Sequence, residues 1–341
     1  MHANMKKLFA LVLAAVMLLA TLAGCQSEEP VATTQPEVTQ SPEEAAVLKI
    51  LTLGHSLTVD SCHMLALIAA KEGYEHLLVG TLYESGCKLT EHVTFLTENQ
   101  AAYNLYLSST ETPDSIPTIL EEVTMYDALK YEYWDIIIMQ GGVFEMARES
   151  SYVTGNIQLI QNYVNENKLN PTAVFAWHAP WVTPTDNDLR DMYPKTPNSY
   201  YKSYEEFNDD RATFYTRYMD YTKEYILTDE TFEFVIPSAT AIENALSSYL
   251  EEKDLHRDYA HASDLGRVIA SYTWYCTLAG VDHLDDIQLD AIPQSFLKST
   301  QDKTQDRVIT DAEKAIIIEA VNNALANPME MTQSQYTEAP Q

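Results

Sequence analysis

Apolar residues in this chain fall into short runs separated by longer amphipathic stretches. Five runs read as buried strands: Leu48 to Leu53, Leu77 to Tyr83, Trp134 to Met139, Thr172 to Trp177 and Phe232 to Ile236. Between and after them, apolar positions recur at helical spacing. Cys62, Leu65, Ile68 and Ala69 share one face, and Gly73 stops that helix. Further helical patterns run from about Val153 to Asn167, Ser203 to Leu227, Thr240 to Leu250, Asp264 to Leu278 and Asp311 to Asn327. Near-continuous apolar strands alternating with helices predict a parallel sheet covered on both faces. Two stretches break the alternation. Leu96 to Lys130 is a polar insertion with Tyr and Thr between strands two and three, and Pro180 to Ser203 is a Pro-, Asp- and Tyr-rich loop after strand four. Long insertions in such folds line the mouth of a site. The pattern is continuous from residue 46 to residue 328, which argues for one domain. Residues 329–341 are polar and read as a flexible tail.

The amino end follows another rule. Met5-Lys6-Lys7 is basic, Leu8 to Ala20 is uninterruptedly apolar, and Leu22-Ala23-Gly24-Cys25 closes the run. A charged start, an apolar centre of this length and small residues at its end describe a secretory signal over residues 1–25. Leu-Ala-Gly-Cys resembles the bacterial lipobox, which implies lipidation of Cys25 and a protein held by its acyl chains on the extracellular face of the membrane. The apolar run is shorter than the roughly 20 residues that a membrane span needs. Residues 26–45 are rich in Glu, Pro, Thr and Gln and read as a disordered tether.

Charge narrows the partners. Lys and Arg number 21 against 50 Asp and Glu, a formal net charge of -29. A phosphate backbone would be repelled, so nucleic acid is disfavoured. Of the four cysteines, Cys62, Cys87 and Cys276 remain if Cys25 carries lipid. They show no CxxC spacing, and the role expected for them is that of small buried hydrophobes. His55, His63, His92 and His178 form no metal-ligand spacing, and no metal or organic cofactor is expected.

The chain has only 10 glycines, where an average usage of about 7% would give more than twice as many. Five of them fall in chemically interesting places: Gly54, Gly86, Gly141, Gly142 and Gly266. The first strand ends in Gly54-His55-Ser56, with a helical pattern following at once. That placement suits Ser56 as a nucleophile, although Ser56 or Thr58 could equally be the cap of the next helix. Position 58 is Thr, so the Gly-x-Ser-x-Gly elbow is not present. A candidate base, His261, lies three residues after Asp258 in a polar loop beyond the last strand. A carboxylate so placed can hold one ring nitrogen while the other faces a serine. Trp177 and His178 stand at the end of strand four and are candidate substrate contacts. Trp177 with Trp181, Tyr193, Tyr200 and Tyr201 forms an aromatic group that suits either a sugar platform or core packing.

Taken in order, Gly54-His55-Ser56-Leu57, Gly86, Gln140-Gly141 and Asp258-x-x-His261 resemble the four blocks of the SGNH (GDSL-type) hydrolase superfamily. The wording is similar above all to its DUF4886 branch, in Lys49 to Ser56, Val79 to Tyr83, Gly86 to His92, Trp134-Asp135-Ile136-Ile137 and Ile236-Pro237. The resemblance spans about residues 48–280. It implies a flavodoxin-like three-layer α/β/α sandwich with a five-stranded parallel sheet, and serine esterase chemistry. By position, Ser56 would be the nucleophile, His261 the base and Asp258 its partner. The backbone N–H groups of Ser56 and Gly86 would line the oxyanion hole. His55 departs from the usual Asp or Asn, and the block-three Asn expected near Val143 is missing. Gln140 either offers its amide to the oxyanion in place of that Asn or is structural. Losing one such donor costs about 10²–10³ in rate.

The expectation is a surface-tethered serine esterase that removes an acyl group, acetyl in the first instance, from a carbohydrate. A lipase or thioesterase of the same fold is the near alternative. A non-catalytic glycan-binding lipoprotein on the same scaffold is the distant one.

Overall fold

The computed structural model describes residues 47–142, 145–185, 189, 210–298 and 303–340. The expected leader, Cys25 and the tether lie outside these residues, as do Val143, Tyr193, Tyr200 and Tyr201.

The five apolar runs all become strands. They are β1 (Leu48–Gly54), β2 (Leu77–Tyr83), β5 (Ile136–Met139), β6 (Val174–His178) and β7 (Phe232–Ile236). They pair in parallel in the order β2-β1-β5-β6-β7. The sheet has seven strands rather than five, because the first insertion contributes β3 (Tyr103–Ser109) and β4 (Thr118–Val123), added antiparallel beyond β2. In β3, buried Tyr103 and Leu105 alternate with half-buried Asn104 and Tyr106. That is the pattern of an antiparallel strand with one wetter face, and it lacks the continuous apolar run that marks the parallel strands.

Both sheet faces are buried because neighbouring strand residues point to opposite sides. Ile50, Val79, Ile136 and Ile138 feed one core, under α1 (Ser56–Cys62), α2 (Leu65–Lys71) and the helices at Ser238–Leu246, Asp264–Ala279 and Asp311–Ala326. Leu51, Leu53, Ile137 and Met139 feed the other, under the helices at Met125–Tyr131, Asn156–Asn167 and Arg211–Tyr221. The architecture is the three-layer α/β/α sandwich that the sequence predicts. Cys62, Cys87 and Cys276 are free thiols, all buried.

Two boundaries depart from expectation for local reasons. Gly155, at φ 77°, splits the pattern at Val153 to Asn167 into Ser150–Val153 and Asn156–Asn167. The expected flexible tail is instead pinned to the fold. The Thr332 N–H donates to Asn244 Oδ1 (2.7 Å), and the Ser334 N–H to Ser247 Oγ (2.8 Å). The Tyr249 N–H in turn donates to the Tyr336 carbonyl (2.9 Å). Polar composition therefore does not predict fraying here, since side chains of the Ser238–Leu246 helix and its cap accept the segment's backbone donors.

The register sets the site. Gly54 lies opposite Tyr83, Leu53 opposite Met139 and His178 opposite Ile236. The carboxyl ends of the parallel strands therefore open along one edge. The chain leaves β1 towards β2 on one side and meets β5 on the other, which is the switch point where such sheets form a crevice.

Candidate active site

Ser56 is the first residue of α1, two residues beyond the end of β1. The cap of that helix is neither Ser56 nor Thr58 but His55, whose Nδ1 accepts the Leu57 N–H (3.3 Å). The other ring nitrogen donates to the Gly141 carbonyl (3.1 Å), which ties the end of β1 to the loop after β5. Burial pushes the His55 pKa down to about 4, so the ring is neutral near pH 7 and can cap with a lone pair. This explains how histidine serves where Asp or Asn is usual: all three side chains can accept a hydrogen bond at the start of a helix. With the cap assigned to His55, the Ser56 hydroxyl is left for other work.

That hydroxyl meets His261. Its Oγ stands 2.9 Å from His261 Nε2, and His261 Nδ1 is 2.9 Å from each oxygen of Asp258. Asp258 is 3% exposed, and its Oδ1 also accepts the N–H groups of Ala260 (2.9 Å) and His261 (2.8 Å). Burial pushes this carboxyl up, but the hydrogen bond and charge of His261 and the two amides outweigh it, so it sits below its ordinary range. The side chain of His261 is 23% exposed and can reach a substrate. The order Asp258–His261–Ser56 is that of a nucleophile, its base and the base's orienting acid.

The loop carrying Asp258 and His261 is braced from several sides. The Arg257 N–H donates to the His261 carbonyl (3.0 Å), and the Trp181 indole donates to the Ala260 carbonyl (2.9 Å). Trp181, from the start of the second insertion, is thus a buried support for the base. Asp60 of α1, Arg257, Arg267 and Asp264 form an ionic cluster beneath the loop, with Arg267 fully buried. Sequence reasoning did not assign this cluster a role, because four charged residues spread from position 60 to position 267 carry no spacing signal.

Gly86 lies in the turn after β2 at φ 60°, a conformation suited to glycine. The Glu84 N–H donates to the Gly54 carbonyl (3.4 Å), and this anchors the turn beside the nucleophile strand. Gly54 must itself lack a side chain, because a Cβ there would stand 2.1 Å from Thr58 Oγ1 and 3.1 Å from Gln140 Cδ.

Three expected contacts with oxyanion or substrate are corrected. Gln140 is 2% exposed, and its Oε1 accepts from His178 Nδ1 (2.8 Å), so the amide is drawn inward. His178 is fully buried against Trp274, with Nε2 3.1 Å from Ser238 Oγ, and burial holds its pKa well below the usual value. Trp177 is fully buried among Tyr152 and Phe232 in the core. The β-strand alternation sends Trp177 into one core and His178 towards the other layer, and neither side chain reaches the crevice.

A model of the family described as "Domain of unknown function (DUF4886)" matches residues 49–290. Among solved structures, a DUF4886 family protein from Bacteroides uniformis is 22% identical, with a TM-score of 0.69. That match covers 86% of this chain and 100% of the other. A protein provisionally assigned as an SGNH hydrolase, from Slackia heliotrinireducens, is 17% identical with a TM-score of 0.42, over 68% of this chain and 99% of that one. No curated protein sequence matches the chain.

Proposed function

We propose that this chain, which belongs to the DUF4886 family, is a serine hydrolase that cleaves esters through an acyl-enzyme on Ser56. The observation that carries the reading is the unbroken line from Asp258 through His261 to Ser56 Oγ, each contact 2.9 Å long. Near neutral pH, Asp258 is a carboxylate and holds the Nδ1 proton of His261. Nε2 then accepts the Ser56 proton as Oγ attacks the ester carbonyl. The tetrahedral intermediate collapses when the imidazolium returns that proton to the departing alcohol. Water, activated by the same nitrogen, releases the acid and restores Ser56. Backbone donors at Ser56 and Gly86 are assigned to the oxyanion, since Ser56 opens α1 and Gly86 lies in the turn after β2, both beyond the carboxyl ends of neighbouring strands.

The substrate assigned is an acylated carbohydrate, acetylated in the first instance, outside the cell. It rests on the leader with its lipobox-like Leu22-Ala23-Gly24-Cys25 and on the family resemblance of the four blocks. In this reading the protein is a lipoprotein anchored through Cys25, with residues 46–328 as the hydrolase domain. Two measurements test it. Wild type is expected to react with a fluorophosphonate probe, and Ser56→Ala is not. Wild type is also expected to release acetate from at least one member of a panel of acetylated glycans. Failure of both would leave a glycan-binding scaffold; labelling without acetate release would redirect the search to lipid esters and thioesters.

A further inference from the structure

Asp60 lies one helical turn after Ser56, on the same face of α1. Its side chain is 5% exposed. One of its oxygens, Oδ2, accepts both from Arg257 Nη1 (2.9 Å) and from the backbone N–H of Ala262 (3.2 Å). Arg257 immediately precedes Asp258, and Ala262 immediately follows His261. A single carboxylate oxygen therefore grips both ends of the segment that carries the acid and the base. The other oxygen stands 3.6 Å from Nε of the fully buried Arg267, which also pairs with Asp264 at the start of the following helix (3.2 Å). Nucleophile and base are thus referred to one rigid turn of helix, since Ser56 and Asp60 move together.

The charges make the grip more than mechanical. Arg257 lies between two carboxylates, with Nη1 on Asp60 and Nε 3.9 Å from Asp258 Oδ2. While Asp60 is present, the guanidinium is held to it and His261 keeps Asp258. Without that negative charge, the nearest carboxylate for Arg257 is Asp258, and the pairing would compete with His261 Nδ1 for the same oxygens.

We infer that Asp60 is a positioning residue for the His261 base: it clamps the Asp258–His261 segment and keeps Arg257 off Asp258. The inference rests on the reading of Ser56 as a nucleophile. Because no natural substrate is needed to observe nucleophile activation, the test is the kinetics of fluorophosphonate reaction, resolved into kinact and KI. Asp60→Asn is expected to lower kinact by about 10²-fold, the cost of roughly 1 Å of misplacement, with KI within threefold of wild type. Arg257→Gln, which removes the tie at the leading end and the Arg257 contact with the Ala262 carbonyl but leaves the Ala262 N–H on Asp60, is expected to lower kinact about tenfold. Combining the two is expected to leave kinact about tenfold below wild type. The competitor for Asp258 is then gone, so the effects do not multiply to about 10³.

Wild-type kinact in Asp60→Asn would overturn the inference and leave the serine-hydrolase reading standing. So would a double variant slowed by the full product of the two effects. If wild type itself fails to react, both fall. If Asp60→Asn loses its folded circular dichroism, Arg257→Gln decides alone: unchanged kinact overturns the inference.

Discussion

The site has two polar flanks, and the fold treats them in opposite ways. On the flank of Asp258 and His261, the acid accepts from two backbone amides and from the histidine, and the histidine spans acid and serine. The flank of Gln140 and Thr58 is just as buried, but there Gln140 Nε2 and Thr58 Oγ1 have no hydrogen-bond partner among the described residues. An unpaired buried donor costs about 1–3 kcal/mol. In the proposed mechanism the contrast means that the acid–base groups already stand in line in the resting protein, while stabilisation of the oxyanion falls to backbone donors. Gln140 is committed to His178 and its free N–H is shut away from solvent.

The largest effect expected from breaking this comparison is on the first flank. Asp258→Asn keeps the shape but offers His261 the wrong partner, and should lower kcat on an activated ester by about 10⁴. A loss under tenfold, measured on protein with an unchanged melting profile, would remove Asp258 from the triad. On the second flank, Gln140→Ala should change kcat less than tenfold while lowering stability by about 2 kcal/mol in denaturant titration, because the His178 donor loses its acceptor. A drop of 10²–10³ in kcat would mean instead that the amide turns outward to the oxyanion during turnover.

Smaller effects concern three buried histidines: His55 at the end of β1, His92 against Tyr103, and His256, whose backbone pairs with Ala262 beside the Asp258–His261 loop. Burial pushes His55 and His256 down to about 4, and His92 to about 3. These rings stay neutral in the folded protein while the unfolded chain takes up protons below about 6.5. The unfolded state then binds more protons, so stability is full above about pH 6.5 and falls as pH drops towards 4. Denaturant titrations at pH 7 and pH 5 should register the loss, and Asp258 should add to it only below the ordinary carboxylate range. The smallest effect is at the cap. His55→Asn keeps an acceptor for the Leu57 N–H but gives up the bond to Gly141, and should cost about 1 kcal/mol with kcat nearly unchanged.

Much of this was legible in the chain because it is encoded locally. Ile136-Ile137-Ile138-Met139 can only be a strand buried on both faces, and the structure sends alternate residues of that run into the two cores. Gly54-His55-Ser56 at a strand end and Asp258-x-x-His261 in a late loop offered the candidate triad, and the resemblance to the SGNH blocks joined them. The two antiparallel strands of the insertion were less legible, since Tyr103–Ser109 alternates polar and apolar residues and only its pairing with its neighbours reveals a strand. The misread contacts share one cause. Trp177 and His178 do stand at a strand's carboxyl end, but position along a strand does not say which way a side chain points.

The sequence by itself determined the order of layers and the parallel core of the sheet, because the hydrophobic period carries that information, and its resemblance to the SGNH blocks named Ser56, Asp258 and His261 as the candidate triad. Only the tertiary structure decided that His55 takes the cap and leaves Ser56 for His261, that Gln140 turns inward, and that Asp60 grips the loop of the base. Each of these depends on groups far apart in the chain meeting in a low-dielectric interior. There, a buried polar atom takes whichever partner the packing brings within 3 Å or so, or goes without.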